Sequence, residues 1–284
     1  MAKITAPSVR ARKVRDGADP LVMVTAYDAP GARIASEGGA DIILVGDSLA
    51  MVVLGYDDTL QVTVDDMAHH VAAVARARPD SLIVGDMPWM SFHVSPEDTV
   101  RNAATLVRAG AQAVKLEGGR KRLPMIERIV DAEIPVMGHI GLTPQSVHAM
   151  GGFKVQGRRA DAARKLVQAA KALEHAGCFA IVLEGVPVRV AALVTEAVGV
   201  PTIGIGAGPH CDGQVLVYHD LLGIEDRFVP KFVRRYADVK AVSVEAVAAY
   251  AADVRAGRFP SDEESYHLSD EQAAALGLYG SPGA

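Results

Sequence analysis

The feature that most constrains this chain is a short, largely apolar run that ends in an acidic residue and occurs four times. The four runs are residues 42–47, 82–86, 113–117 and 180–184. Apolar runs rich in β-branched residues, without polar alternation, are typical of strands buried on both faces, as in a parallel sheet. Four strands that each end in a carboxylate predict acids gathered at one end of one sheet.

Strand and helix patterns alternate along most of the chain. Further strands are predicted at residues 21–26, 134–139 and 201–205, with a weaker one at 214–218. Helix starts are predicted after Asp28, Thr63 and Ser95, which are good N-cap residues. Seven or eight alternations at spacings of about 20–45 residues predict an α/β protein with a (β/α)8 barrel. A doubly wound open sheet is the alternative, although no Gly-x-Gly-x-x-Gly fingerprint follows a strand.

The connections differ in length and composition. Residues 49–60 are predicted to form a loop, and residues 140–157 form a long glycine-rich connection. Connections of that length inside compact domains are usually functional. Two appended helices are expected near the end of the chain, at residues 243–256 and 269–276.

Composition excludes several classes of protein. The 284 residues are 50% hydrophobic and carry a net charge of −5, with a sequence pI of about 6.0. We therefore expect no nucleic-acid partner. Two cysteines without a Cys-x-x-Cys pair indicate neither a disulfide scaffold nor a zinc cluster. No apolar run approaches the roughly 20 residues that span a bilayer, and the first 17 residues lack the apolar core of a signal peptide. We expect a cytoplasmic protein with no membrane contact.

Three of the acids predict a metal site. In a (β/α)8 barrel, Asp47, Asp86 and Glu117 would stand at the carboxyl ends of neighbouring strands, where active sites lie. Clustered carboxylates repel one another unless a cation joins them. A hard divalent cation such as Mg²⁺ suits carboxylate oxygens, whereas zinc would need His or Cys ligands. The alternative is that each acid is the N-cap of the helix that follows it.

Three further residues have two interpretations each. Glu184 is either a helix cap or a catalytic base at the barrel mouth. Lys115 points to the same side of its strand as Glu117, so it either forms a structural ion pair or binds a substrate carboxylate. His139 ends the fifth strand, where it is either a structural side chain or part of a pocket.

Six motifs along the chain are more specific than any single acid. These motifs are LVGDS at 44–48, VKLEGG at 114–119, HIGLTPQS at 139–146, GGFKVQG at 151–157, LEGVP at 183–187 and IGIGAG at 203–208, the last followed by CDGQ at 211–214. Together they resemble ketopantoate hydroxymethyltransferase, also called the 3-methyl-2-oxobutanoate hydroxymethyltransferase family. The resemblance runs from about residue 3 to about residue 266, with its motifs in register.

The resemblance implies a (β/α)8 barrel of the phosphoenolpyruvate-mutase-like group with extra C-terminal helices. Residues 1–266 would form a single barrel domain with an N-terminal extension, and residues 267–284 a C-terminal tail. It implies one Mg²⁺ per subunit and assembly as a homo-oligomer, usually a decamer. It also implies transfer of a hydroxymethyl group from the co-substrate 5,10-methylenetetrahydrofolate to 3-methyl-2-oxobutanoate, giving 2-dehydropantoate for pantothenate and coenzyme A biosynthesis.

The resemblance also implies a role for each site residue. Glu184 would be the catalytic proton acceptor. Mg²⁺ would be held by Asp47 and Asp86, with Glu117 acting through water. The keto acid would be bound by Asp47, Ser48, Asp86, Lys115 and His139.

The chemistry of a 2-oxo acid fits these roles. Mg²⁺ bound to the keto oxygen would acidify C3, so Glu184 could remove the C3 proton. The resulting Mg-stabilised enolate would attack the methylene carbon of the folate. The connection 141–157 is a candidate lid that excludes water, and it would fail as one if keto acid left its order and protease sensitivity unchanged.

Two rival functions compete with this one. The first is a Mg-dependent C–C lyase or mutase on a 2-oxo acid in the same barrel group. Such lyases carry a Lys-Lys-Cys-Gly-His loop that this sequence lacks. The second is a catalytically inactive barrel that serves as an oligomeric scaffold or metabolite sensor.

Overall fold

Eight parallel strands close into a barrel in the computed structural model, which describes residues 3–226 and 229–276. Each strand pairs with the next along the chain, and β8 pairs with β1 to close the ring. The strands are β1 Leu21–Thr25, β2 Ile42–Val45, β3 Leu82–Asp86, β4 Ala113–Glu117, β5 Val136–Gly141, β6 Ala180–Glu184, β7 Thr202–Ile205 and β8 Gly213–Leu216. The predicted (β/α)8 barrel is confirmed, and the open-sheet alternative is wrong.

Among the described residues, eight α-helices lie between successive strands along the chain, one precedes β1 and three follow β8. They are α1 Ala6–Arg10, α2 Ala29–Glu37, α3 Leu49–Val52, α4 Val64–Arg76, α5 Pro96–Ala109, α6 Leu123–Asp131, α7 Val147–Met150, α8 Ala160–His175, α9 Val188–Ala197, α10 Tyr218–Leu222, α11 Val239–Arg255 and α12 Asp270–Ala275. The predicted caps are confirmed, because the side chains of Asp28, Thr63 and Ser95 each accept a backbone N–H in the first turn of their helix.

Strand alternation separates two apolar layers. Ile42 and Leu44 of β2 point into the barrel, while Ile43 and Val45 pack against the surrounding helices. Because successive side chains of a strand point to opposite faces, the same rule decides which polar residues project inward at the strand ends. Val9 of α1 is fully buried with the inner layer, so the N-terminal segment packs against the barrel interior.

The connections contain more helix than the sequence predicted. Residues 49–52 of the predicted loop form α3, and the long connection after β5 contains a 3₁₀ turn, Pro144–Ser146, followed by α7. Tyr218, predicted to end β8, instead begins α10. Single turns of helix bury few residues, so they leave no periodic pattern that a sequence can reveal.

By its internal contacts the chain divides into two compact units, residues 1–236 and 237–284. The second unit contains α11 and α12, which confirms the two predicted C-terminal helices. The predicted barrel domain 1–266 and tail 267–284 stay predictions, and the end of that tail, residues 277–284, lies outside the described residues. Across residues 3–226 and 229–276, every helix is too short or too polar to cross a membrane.

Candidate active site

Five of the predicted site residues project inward at the carboxyl ends of four adjacent strands. Strand register places Asp86 opposite Lys115 and Glu117 opposite His139. Glu184 ends β6, the neighbour of β5. The alternation of buried side chains along each strand directs all five into the barrel, where they form one polar layer above the apolar interior.

Lys115 and Asp86 form a buried ion pair. Lys115 Nζ donates to both carboxylate oxygens of Asp86, at 2.7 and 2.8 Å. Burial opposes the charge on Lys115, but the carboxylates of Asp86, Glu117 and Asp47 outweigh it and raise the lysine pKa. Lys115 therefore stays charged, and its predicted role toward the substrate carboxylate stays a prediction.

Asp47 lies directly beyond β2 and beside this pair. Its backbone N–H donates to Asp86 Oδ2 at 3.2 Å, and its Oδ2 accepts from Gln145 Nε2 at 2.9 Å. Burial first, and then the negative charges of Asp86 and Glu117, raise the pKa of Asp47 well above its ordinary value. Burial likewise raises the pKa of Asp86, although Lys115 opposes that shift. Three buried carboxylates share Lys115, so the site has a surplus of negative charge.

None of the four strand-end acids caps a helix, so the alternative interpretation as N-caps is wrong. The helices that follow these strands have other N-cap residues, namely Ser48, Ser95, Arg122 and Pro187. The carboxylates are therefore available for other partners inside the barrel mouth.

His139 lies between two of the glutamates. Its Nδ1 is 3.4 Å from Glu117 and its Nε2 is 3.3 Å from Glu184, both beyond the usual hydrogen-bond length. Burial and Lys115 lower the pKa of His139, but its contacts with the two glutamates raise it from 6.5 to about 9. A charged imidazole thus connects the acid cluster to Glu184. The Glu184 side chain is 15% exposed, against 3% for Glu117, so Glu184 is the more accessible of the two.

Ser48, just beyond β2, is held from the neighbouring strand β1. Its hydroxyl is 2.9 Å from the hydroxyl of Tyr27, which follows β1. His70 Nδ1 lies 2.7 Å from the Tyr27 carbonyl oxygen, which fixes this part of the chain against α4. Burial raises the pKa of Tyr27, so its phenol stays protonated as a hydrogen-bond partner of Ser48. Sequence reasoning did not identify Tyr27.

Gln145 is a second residue that sequence reasoning missed. It is 5% exposed and lies in the 3₁₀ turn after β5, inside the motif 139–146. Its backbone N–H donates to Glu117 Oε2 at 3.0 Å, and its side chain reaches Asp47. A polar amide inside the motif that follows β5 was the available signal, but a loop residue gives no indication of the direction in which it folds.

The donor set fits a hard divalent cation. Within residues 3–226 and 229–276, no group of three or more His, Cys, Asp or Glu side chains is already arranged to hold a metal ion. Mg²⁺ commonly takes one or two protein carboxylates and completes its octahedron with water and substrate oxygens. Asp47 and Asp86 supply such a pair, and the surplus negative charge around them favours a cation.

Comparison with known proteins decides the family. A family model described as ketopantoate hydroxymethyltransferase matches residues 3–262. The chain belongs to the ketopantoate hydroxymethyltransferase family. It is 59% identical, over 90% of its length and 89% of the relative, to the 3-methyl-2-oxobutanoate hydroxymethyltransferase of Methylobacterium sp. (strain 4-46). The enzyme of the same name from Ignicoccus hospitalis is 57% identical over 92% of this chain and 98% of the relative.

The family membership confirms the predicted resemblance and the predicted class of enzyme. The chain is a hydroxymethyltransferase of pantothenate biosynthesis, and its substrates are small molecules. The rival interpretations, a lyase or mutase and an inactive scaffold, do not account for identities of this size over nearly the whole chain.

Solved structures support the fold of this ketopantoate hydroxymethyltransferase family member. A phosphonopyruvate hydrolase in complex with oxalate and Mg²⁺ superposes with a TM-score of 0.59, at 14% identity, over 97% of this chain and 96% of that one. A 2,3-dimethylmalate lyase of the PEP mutase/isocitrate lyase superfamily gives a TM-score of 0.55, at 17% identity, over 97% and 95% of the two chains. At these identities the likeness shows a shared (β/α)8 barrel fold, as the sequence predicted.

Proposed function

We propose that the chain transfers a hydroxymethyl group from 5,10-methylenetetrahydrofolate to 3-methyl-2-oxobutanoate, with Mg²⁺ held by Asp47 and Asp86 and by Glu117 through water. The observation that carries this proposal is the surplus of buried carboxylate on β2, β3 and β4, with His139 connecting it to Glu184. When bound, Mg²⁺ supplies Lewis-acid polarisation of the substrate's keto group. The reaction consumes one water, whose oxygen becomes the new hydroxyl of 2-dehydropantoate. Both C–N bonds of the folate methylene break, and tetrahydrofolate leaves with its two nitrogens protonated, one proton coming from water and the other from C3 of the keto acid.

Glu184 is the base in this proposal. It lies across the barrel mouth from Asp47 and is partly accessible. Its charged neighbour among the described residues is His139, and no lysine there is paired with it. Its carboxylate accepts the proton from C3 of the keto acid, leaving the enolate that attacks the methylene carbon. The charged ring of His139 faces Glu184 and orients its carboxylate toward the substrate.

Lys115 and Ser48 bind the keto acid in this proposal. Lys115 neutralises the substrate carboxylate while its ammonium stays anchored on Asp86. The Ser48 hydroxyl, held by Tyr27, donates to a substrate oxygen. Asp47, Asp86 and His139 complete the contacts to the same substrate.

The proposal extends to the cellular location and the assembly of the protein, which we infer from its family. We infer a cytoplasmic enzyme that assembles as a homo-oligomer, a decamer, without nucleic-acid or membrane partners. Sedimentation of the purified full-length chain tests the assembly directly, and a monomer would contradict it.

One assay tests the reaction. The protein is incubated with Mg²⁺, 3-methyl-2-oxobutanoate and 5,10-methylenetetrahydrofolate, and 2-dehydropantoate is measured. We expect product that depends on both substrates and disappears with a chelator. Cleavage of a 2-oxo acid without folate would instead support a lyase, and binding of keto acid without any turnover would support a metabolite sensor.

A further inference from the structure

Gln145 joins three strands of the barrel from a loop that follows a fourth. Its side-chain Nε2 donates to Asp47 Oδ2, beyond β2, at 2.9 Å and to the carbonyl oxygen of Met87, beyond β3, at 3.0 Å. Its backbone N–H donates to Glu117 Oε2, at the end of β4, at 3.0 Å. One residue on the connection after β5 thus contacts the carboxyl ends of three of the four strands that end in an acid.

The partners fix the orientation of the amide group. Both groups that face this end of the side chain, a carboxylate and a peptide carbonyl, are acceptors. Only the NH₂ of a glutamine can donate to two acceptors, so Nε2 must face them. A glutamate or a methionine of similar size at this position would lack both donors.

The same contacts control the orientation of Asp47. Gln145 engages Oδ2, whereas Oδ1 accepts no hydrogen bond from any residue in the described ranges 3–226 and 229–276. A carboxylate held through one oxygen presents the other in a fixed direction. Partners that orient a ligand in this way commonly change metal affinity by roughly 10–100-fold when they are removed.

The base of the connection after β5 is also fixed from the β6 side. The backbone N–H of Leu142 donates to the carbonyl oxygen of Glu184 at 2.8 Å. Gly141 has a φ of +101°, and a Cβ there would lie 2.2 Å from the same carbonyl oxygen. In contrast, Phe153 and Val155 further along the connection are 54% and 43% exposed.

We propose that Gln145 is a positioning residue that fastens the base of the connection after β5 to the acids of β2 and β4 and aims Asp47 at the cation. The inference rests on the proposed function of these acids as a Mg²⁺ and keto acid site. It confines any lid movement to the outer part of the connection, because the segment 141–146 is tied to four strands. Closing that outer part would then leave the metal ligands in place.

The test compares Gln145→Met and Gln145→Asn with Gln168→Met, a matched change at an exposed position of α8. Titration calorimetry measures binding of Mg²⁺ and of 3-methyl-2-oxobutanoate in the presence of Mg²⁺. We expect both Gln145 variants to bind these ligands roughly 10–100-fold more weakly, and the control to bind as the wild type does. Gln145→Asn serves where Gln145→Met does not fold, since it keeps an uncharged amide in the turn but shortens its reach toward Asp47.

Kinetics separate positioning from a merely structural role. For the Gln145 variants we expect KM for the keto acid to rise, KM for the folate to stay within about twofold, and thermal unfolding to match the wild type within about 4 °C. Limited proteolysis without ligands should cut the segment 141–157 faster in the variants. Wild-type ligand binding and wild-type proteolysis in a folded Gln145 variant would overturn the inference.

The two proposals can fail separately. If the wild type forms no 2-dehydropantoate, the proposed function is wrong, whatever Gln145 does. If the wild type forms product and a folded Gln145 variant binds Mg²⁺ and keto acid equally well, only the role of Gln145 is wrong.

Discussion

The barrel holds a buried lysine–aspartate pair at each end, and the two pairs have opposite surroundings. At the amino ends of the strands, Lys13 Nζ lies 2.7 Å from Asp212. At the carboxyl ends, Lys115 Nζ lies 2.7 Å from Asp86. All four side chains are at most 5% exposed. The two pairs therefore match in chemistry, distance and burial, and differ in what surrounds them.

The lower pair, Lys13 and Asp212 at the amino ends of the strands, has hydrogen-bond partners for both of its charged groups. Lys13 also donates to the carbonyl oxygens of Thr195 and Val200, at 2.8 and 3.1 Å, so each ammonium hydrogen has an acceptor. The carboxylate of Asp212 accepts from three further groups, which are Val14 N, Thr202 N and Thr202 Oγ1. A buried ion pair is tolerated when hydrogen bonds complete both partners, as they do here.

Around the upper pair, Lys115 and Asp86 at the carboxyl ends of the strands, the buried charged and polar groups are not all paired. Lys115 is bound by Asp86 but also faces the charges of Asp47 and Glu117. Gln145 Oε1 is buried and accepts no hydrogen bond from the described residues. The buried groups at this end therefore have capacity for further partners, whereas those at the lower end do not.

This difference indicates a division of work along the barrel axis. A buried charge that only supports the fold needs a full set of hydrogen bonds within the protein, as Lys13 has. A site that binds a charged ligand needs buried groups whose remaining hydrogen bonds and charge are completed by the ligand. The carboxyl ends of barrel strands carry the active site in characterised enzymes of this fold, and the amino ends contribute stability. Changes at the two ends should therefore separate activity from stability.

The largest expected effect lies at the upper end. Glu184→Gln should lower solvent deuterium exchange at C3 of 3-methyl-2-oxobutanoate, measured without folate, by about 10²–10⁴-fold, because the amide cannot accept the proton. Its unfolding temperature should stay close to that of the wild type. Glu196→Gln, at an exposed position of α9, is the matched control. Exchange at the wild-type rate in Glu184→Gln would remove Glu184 as the base.

The next effect lies at the lower end and concerns stability. Lys13→Met should lower the free energy of unfolding by about 3–5 kcal/mol, because Asp212 is left charged and buried without its cation. Denaturant unfolding measures the loss, and Lys171→Met at an exposed position of α8 is the control. The folded fraction should keep its wild-type kcat, and a loss of kcat without a loss of stability would contradict the division between the two ends.

The sequence predicted the fold and the composition of the acid cluster because both depend on local patterns. Apolar runs locate the strands, and strand alternation directs Asp86, Lys115 and Glu117 inward. Gln145 and Lys13 were missed because their partners are distant in sequence. Gln145 bonds a residue 98 positions away, and Lys13 bonds one 199 positions away. In the sequence, Lys13 is one more cation in a polar N-terminal segment, and its burial follows only from tertiary packing.

The smallest expected effect is on stability, and it comes from a mutation in the site that stabilises the metal-free protein. Burial and the charges of Asp86 and Glu117 raise the pKa of Asp47 well above its ordinary value. Because the pKa of Asp47 is higher in the folded than in the unfolded state, protonation of Asp47 favours folding. This stabilisation is complete below the unfolded-state pKa of about 3.9 and is lost as pH rises through the folded-state pKa. At pH 8 the unfolded Asp47 is ionised, so burying this carboxyl without metal costs stability, and Asp47→Asn removes that cost.

We expect metal-free Asp47→Asn to unfold about 2–4 °C above the wild type at pH 8, measured by calorimetry in a chelator, with the difference vanishing toward pH 4. Asp65→Asn, at an exposed position of α4, should change the unfolding temperature by less than about 2 °C. Adding Mg²⁺ should reverse the order, because the cation stabilises the wild type and binds the variant weakly. A less stable metal-free variant would mean that Asp47 is already well compensated without a cation, and the contrast between the two ends of the barrel would then rest on Lys115 alone.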